Sequence, residues 1–225
     1  DEALAFAPDL VLLGVYVGND LRVSTAQTAF DHDSYAISRA VSDVLERLAA
    51  RRLTRTGEFR DVTRAESFDP EAPITTRERY LDSVRRELAF FRDDGSRKVA
   101  RAWYDSLAAL ARIAALCRER GVPLAVVVQP SHPQVSRALL EEGARSAGID
   151  AAALDVAVPQ RRLAAFFADR GVPVLAFLPA FARAARERDP DGFYLVNDTH
   201  WSVPGNEIAA REIARFVADQ LARGA

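Results

Sequence analysis

Apolar residues fall into two kinds of run along this chain. Runs of the first kind are short and continuous. Asp9-Leu10-Val11-Leu12-Leu13-Gly14-Val15-Tyr16-Val17 is stopped by Gly18-Asn19-Asp20, Val122 to Val128 by Gln129-Pro130, and Val172 to Leu178 by Pro179. A short run without alternation predicts a strand buried on both faces, hence a parallel sheet covered by helices. In the second kind apolar residues recur at three and four. Ala36, Ile37, Ala40, Val41, Val44, Leu45 and Leu48 make one stripe from about Ser34 to Arg52. Thr75 with Glu78 reads as a capping box opening a helix through Phe91. A third helix is predicted from about Lys98 to Arg118, and a last one from Val203-Pro204, with Ile208, Ala209, Ile213, Phe216, Val217 and Leu221 on one side. The second and third strands each follow a helix closed by Arg-Gly-Val-Pro. Glycine there supplies the left-handed residue that ends a helix, and proline blocks its continuation.

Strands alternating with helices predict an α/β fold, a parallel sheet wound with helices on both sides. The link from the first strand to the second is far longer than a crossover needs. Its surplus, about Leu21 to Arg97, is predicted to be a helical insertion, with Thr54 to Ile74 as an exposed loop. It leaves from the carboxyl end of a strand, the edge where ligands bind in such sheets. A lid and a packing or dimerisation element are both open roles for it.

Composition narrows the partners. At 225 residues the chain is long enough for one sizeable core, and 49% hydrophobic with 28% charged residues is an ordinary globular balance. A net charge of −2 gives no electrostatic reason to expect nucleic acid or an anionic membrane. No apolar run is long enough to cross a bilayer. Cys117, the single cysteine, falls on the apolar side of a helix and reads as a buried thiol; it allows neither an intrachain disulfide nor a cysteine metal cluster. The chain has no methionine and opens in what reads as the last turns of a helix, which predicts a natural beginning upstream.

Two constellations can carry chemistry. Gly18-Asn19-Asp20 ends the first strand, where an asparagine amide can aim into the crevice above the sheet; taken alone it is equally a turn. Asn197-Asp198-Thr199-His200-Trp201 precedes the last helix. Residues two apart in an extended or turn segment share a side, so Asp198 can reach the imidazole of His200. An aspartate on one ring nitrogen fixes the tautomer and leaves the other nitrogen as general base. Taken alone, this pair also fits a surface histidine beside a helix-capping aspartate. His32, in Phe30-Asp31-His32-Asp33, reads as a cap for the helix near Ser34 or an exposed side chain, with a place lining the crevice as the alternative.

Taken together, these residues resemble the SGNH (GDSL-type) hydrolase family. Its Gly-x-Asn-Asp strand end is similar to Val15-Tyr16-Val17-Gly18-Asn19-Asp20, and its closing Asp-x-His block to Asp198 and His200 followed by Trp201. Gln129-Pro130-Ser131-His132-Pro133-Gln134-Val135 and Pro159 to Leu163 also look like family segments, as does the Leu178 to Phe181 end. The resemblance runs from Pro8 to Ala214. It implies a flavodoxin-like parallel sheet between helices, here one N-terminally truncated domain, 1–225, with the insertion at 21–97. It implies that His200 is the general base, Asp198 its orienting acid and Asn19 an oxyanion donor, with no cofactor and no metal. The family's Gly-Asp-Ser nucleophile block is expected upstream of Asp1, so the nucleophile is not in this chain and the isolated polypeptide is expected to be nearly inactive.

Substitutes within the chain are weaker. Asp82-Ser83 and Asp105-Ser106 lie in amphipathic helices without a strained turn. Ser131 is at a strand end beside His132, and Ser202 adjoins the presumed base in the wrong geometry. The expected activity is a serine esterase or deacylase, with an acyl (in particular an acetyl) ester of a small molecule or carbohydrate as partner. Transfer of the acyl group to a sugar hydroxyl uses the same acyl-enzyme. Two alternatives remain. One is metal-dependent phosphoester hydrolysis with Asn19, Asp20, Asp198 and His200 as ligands; the other is a module that binds without reacting. The resemblance favours a periplasmic or extracellular setting.

Overall fold

The computed structural model describes residues 2–21, 69, 71–92 and 95–224. The chain divides into two compact units, Asp1–Arg22 with Glu71–Ala225, and Val23–Pro70. His32 and the helix expected at Ser34 to Arg52 lie outside the described residues, as does most of the expected Thr54 to Ile74 loop.

Three parallel strands, β1 (Val11–Tyr16), β2 (Leu124–Gln129) and β3 (Val174–Ala176), pair in the order β1-β2-β3. Val11 aligns with Leu124 and Tyr16 with Gln129, so β1 and β2 end level with one another. Only β2 matches the expectation of burial on both faces. Val11, Leu12 and Leu13 of β1 are half-buried, and so is all of β3. Among the described residues these two strands form the margins of the sheet, where a continuous apolar run is covered only in part. The third strand is also shorter than its apolar run. Leu178 and Pro179 start a helix instead, because proline fits the first helical turn, where its missing N–H is not needed.

Helices cover both faces. On one lie α1 (Arg77–Glu87) with its 3₁₀ extension Leu88–Phe91, α2 (Arg97–Glu119), α4 (Arg137–Ser146) and α5 (Val158–Ala168). Their Val84, Phe91, Trp103, Leu140 and Phe167 pack with Val15, Val126 and Val128. On the other, α6 (Leu178–Ala184) and α7 (Val203–Gly224) bring Phe181, Ile208 and Ala209 against Val127, Leu12 and Leu175. Odd and even strand positions thus serve two separate cores, and the domain is a three-layer α/β/α sandwich. Burial of each such aromatic or aliphatic side chain contributes roughly 1.5–3 kcal/mol.

The Arg-Gly-Val-Pro turns close as expected. Gly121 has φ +66°; its N–H donates to Arg118 O and that of Val122 to Cys117 O. Gly171 and Val172 repeat both bonds onto Ala168 and Phe167, and Gly148 with Ile149 repeats them again after α4. Cys117 is buried in α2. One expected cap shifts by a residue. The N-cap of α1 is Thr76, whose hydroxyl accepts from Arg79 N–H, rather than Thr75. The Thr75 hydroxyl instead donates to Asn197 O at 2.9 Å, a contact between residues far apart in sequence.

Candidate active site

β1 runs into a tight turn at Val17 to Asp20. Asp20 turns back on the strand end: its Oδ2 accepts from Tyr16 N–H at 2.8 Å and its own N–H donates to Tyr16 O at 3.1 Å. The Tyr16 ring lies across Gly18, where a Cβ would sit 2.5 Å from it. Any larger residue at 18 pushes the ring away. The turn leaves Asn19 exposed at the carboxyl rim of the sheet.

The second part of the site is the loop from Tyr194 to Trp201. An antiparallel bridge between these two residues closes its stem. Inside it Leu195 N–H donates to His200 O at 2.9 Å and Asp198 N–H to Leu195 O at 3.1 Å. Asn197 has φ +51°, a left-handed value that asparagine tolerates better than most residues. Asp198 Oδ1 then accepts twice from His200, from the backbone N–H at 2.7 Å and from Nδ1 at 2.5 Å. With Nδ1–H committed to the carboxylate, Nε2 is the nitrogen left to take up a proton. The carboxylate is largely buried, 14% exposed, while the imidazole is 81% exposed.

The tip of this loop is held by the residues that open α1. Ile74 N–H donates to Val196 O at 3.0 Å, and Thr75 and Asn197 exchange two bonds, at 2.9 and 3.3 Å. Arg77 reaches Asn197 Oδ1 at 3.3 Å and also pairs with Glu142 of α4. The long link after β1 therefore returns onto the loop that carries Asp198 and His200.

A crevice of about 420 Å³ opens between turn and loop, lined by Tyr16, Asn19, Gln129, Thr199, His200, Trp201 and Asn206. Asn19 and His200 share it, and it sits at the carboxyl ends of β1 and β2, where α/β sheets place ligands. Its remaining lining is uncharged. Burial, and then the nearby Glu87 charge, push the Tyr16 hydroxyl well above the usual phenol range, so it stays a neutral hydroxyl. The sequence alone assigns no function to Tyr16, Gln129, Thr199 or Asn206. The level ends of β1 and β2 are the signal that finds the first two.

The serines weighed as substitutes lie elsewhere. Ser131 is fully buried, so no substrate reaches it. The Ser202 hydroxyl donates to Gly192 O and accepts from Gly205 N–H at the start of α7. Ser83 accepts from Arg86 on α1, and Ser106 donates to Asp20 O. Among the described residues no three His, Cys, Asp or Glu side chains come together as metal ligands, and Asp20, one of the four ligands of the metal-dependent alternative, is turned onto the Tyr16 amide.

Sheet, covering helices and rim crevice define a three-layer α/β domain with a crevice at the carboxyl edge of its strands. The chain belongs to the SGNH hydrolase-like family described as "SGNH hydrolase-like domain, acetyltransferase AlgX", whose profile matches residues 90–225. That stretch includes Asp198 and His200; Asn19 precedes it. No curated protein and no solved structure matches the chain.

Proposed function

We propose that this domain performs acyl transfer from an ester, with His200 as general base, Asp198 as its orienting acid and Asn19 as an oxyanion donor. The observation that carries this reading is one crevice shared by the Asn19 amide and an imidazole whose Nδ1 is already bound by Asp198. The nucleophile is a hydroxyl supplied from outside the described residues. His200 Nε2 removes its proton as the oxygen attacks the ester carbonyl carbon. The tetrahedral oxyanion accepts a hydrogen bond from the Asn19 side-chain N–H, and the leaving alkoxide departs with the proton held on Nε2. A second hydroxyl, activated by the same nitrogen, then takes the acyl group from the enzyme.

That second hydroxyl decides between two outcomes. Water gives an esterase or deacylase; a sugar hydroxyl gives an O-acyltransferase on the same scaffold. The acetyltransferase in the family description supports the second. The uncharged crevice lining suits a neutral acyl ester, including an acetyl ester of a carbohydrate.

The test uses the complete protein that carries this chain, with p-nitrophenyl acetate as acyl donor, with and without an oligosaccharide acceptor. The expected result is turnover that falls about 10²–10⁴-fold in His200→Ala and about 10²–10³-fold in Asn19→Ala. Acetylated oligosaccharide marks the transferase outcome. Turnover unchanged by either substitution overturns the assignment.

A further inference from the structure

A buried histidine outside the crevice ties the stem of the Asp198–His200 loop to α1. His132 opens the short helical turn His132–Val135, α3, just after β2, and is 7% exposed. Its Nε2 lies 2.9 Å from Asp191 Oδ1 and its Nδ1 2.6 Å from the Tyr80 hydroxyl. Both bonds are met at once when Nε2–H donates to the carboxylate and the bare Nδ1 accepts the Tyr80 O–H. The ring stacks on Tyr194, with centroids 4.3 Å apart and planes 12° from parallel. The Tyr194 hydroxyl in turn donates to Pro130 O at 3.0 Å. These partners belong to separate elements. Tyr80 is on α1, Asp191 is in the 3₁₀ turn Pro190–Phe193, and Tyr194 is the first residue of the loop.

We propose that His132 is a positioning residue for His200. Gripped between Asp191 and Tyr80 and stacked on Tyr194, it fixes the stem of the loop to the same helix that holds its tip. Its kinetic consequence rests on the proposed function; its structural consequence does not. Tyr80 follows Arg77 by three residues, so one turn of α1 faces both anchors. Arg77 and Thr75 hold Asn197 at the tip, and Tyr80 holds the stem through His132. A loop held at both ends by one helix follows that helix, so a shift of α1 is carried to the imidazole of His200. Removing the Tyr80 hydroxyl leaves a buried ring nitrogen without its donor. The ring is then free to turn, and turning removes the face on which Tyr194 rests.

The experiment compares Tyr80→Phe and His132→Gln with Leu110→Ala, a core variant on α2 that destabilises the fold without touching the loop. Hydrogen exchange is read at Leu195 and His200, whose amides are held inside the loop. Loss of one hydrogen bond corresponds to roughly a tenfold change. The expected result is loop exchange about tenfold faster in Tyr80→Phe and His132→Gln than in Leu110→Ala, with β2 amides unchanged. The ring nitrogens of His132 in the wild type should show a proton on Nε2 and none on Nδ1. With p-nitrophenyl acetate, kcat falls about tenfold in Tyr80→Phe while KM holds. Loop exchange no faster than in Leu110→Ala, or a proton on Nδ1, overturns the proposal. Should the exchange result hold in a protein that carries its nucleophile yet neither cleaves p-nitrophenyl acetate nor acetylates an oligosaccharide, the proposed function fails and the positioning role stands.

Discussion

Asp198→Asn isolates the electrostatic part of the site. The substitution keeps the shape of the side chain and one acceptor for the His200 backbone N–H, but removes the charge facing Nδ1 at 2.5 Å. When His200 takes up a proton, the carboxylate stabilises the imidazolium. At a charge separation of about 4 Å and an effective dielectric of about 20, that attraction is about 4 kcal/mol. The imidazole is 81% exposed and water screens the pair, which brings the figure down to about 1.5–3 kcal/mol, the range for hydrogen bonds to charged groups. Converted to rate, it is a loss of about 10–10²-fold in kcat/KM. The loop lies at the surface and keeps its backbone bonds, so the melting temperature should move little. The assay is p-nitrophenyl acetate turnover by the protein that supplies the nucleophile, beside a thermal melt of the same sample. Activity within threefold of wild type, with the fold intact, refutes the reasoning. A large drop in melting temperature refutes the view that the charge acts on chemistry rather than on folding.

Other substitutions test the supporting structure. Phe181→Ala removes a fully buried ring that packs on Phe193, Tyr194 and Trp201; a loss of about 3–5 kcal/mol is expected in denaturant titration. Gly121→Ala should cost about 1–2 kcal/mol in the same titration, because φ +66° strains any residue with a Cβ. Gly18→Ala, by displacing the Tyr16 ring, should lower kcat/KM with little effect on stability, read by turnover and melt together. The hydrogen bond from His132 holds Asp191 down to about 2. Its folded value lies below its unfolded value near 4, so its contribution to stability is present above about pH 4 and fades as pH falls toward 2. Wild type should therefore exceed Asp191→Asn in denaturant midpoint at pH 5, with the gap closing near pH 2.

What was legible in the sequence was local. The apolar run of β2, the amphipathic stripe of α2 and the Arg-Gly-Val-Pro turns depend on residues within one or two turns of each other, and each formed close to its expected place. Asp198 and His200 are two residues apart, so their contact also could be read. Burial of β1 and β3 was overestimated, because a run of apolar residues does not say which strands are marginal. Thr75 was read as a cap because the spacing to Glu78 is right. Its hydroxyl is drawn instead to Asn197, a partner that no local pattern announces. The His132 contacts are hidden for the same reason: Tyr80 and Asp191 lie 52 and 59 residues away. The crevice gathers residues from the β1 and β2 ends, the His200 loop and α7, and only the fold brings these together.

The central claim is that Asn19 and His200 serve the same tetrahedral intermediate, one at its oxyanion and the other at the attacking oxygen. Its most direct test is a phosphonate adduct on the nucleophile of the complete protein, with the Asn19 side-chain amide and the His200 ring nitrogens followed by NMR. Both signals are predicted to shift in the one adduct, the amide protons toward a stronger hydrogen bond and Nε2 toward the protonated state. An adduct that moves only one of them, or neither, contradicts the account.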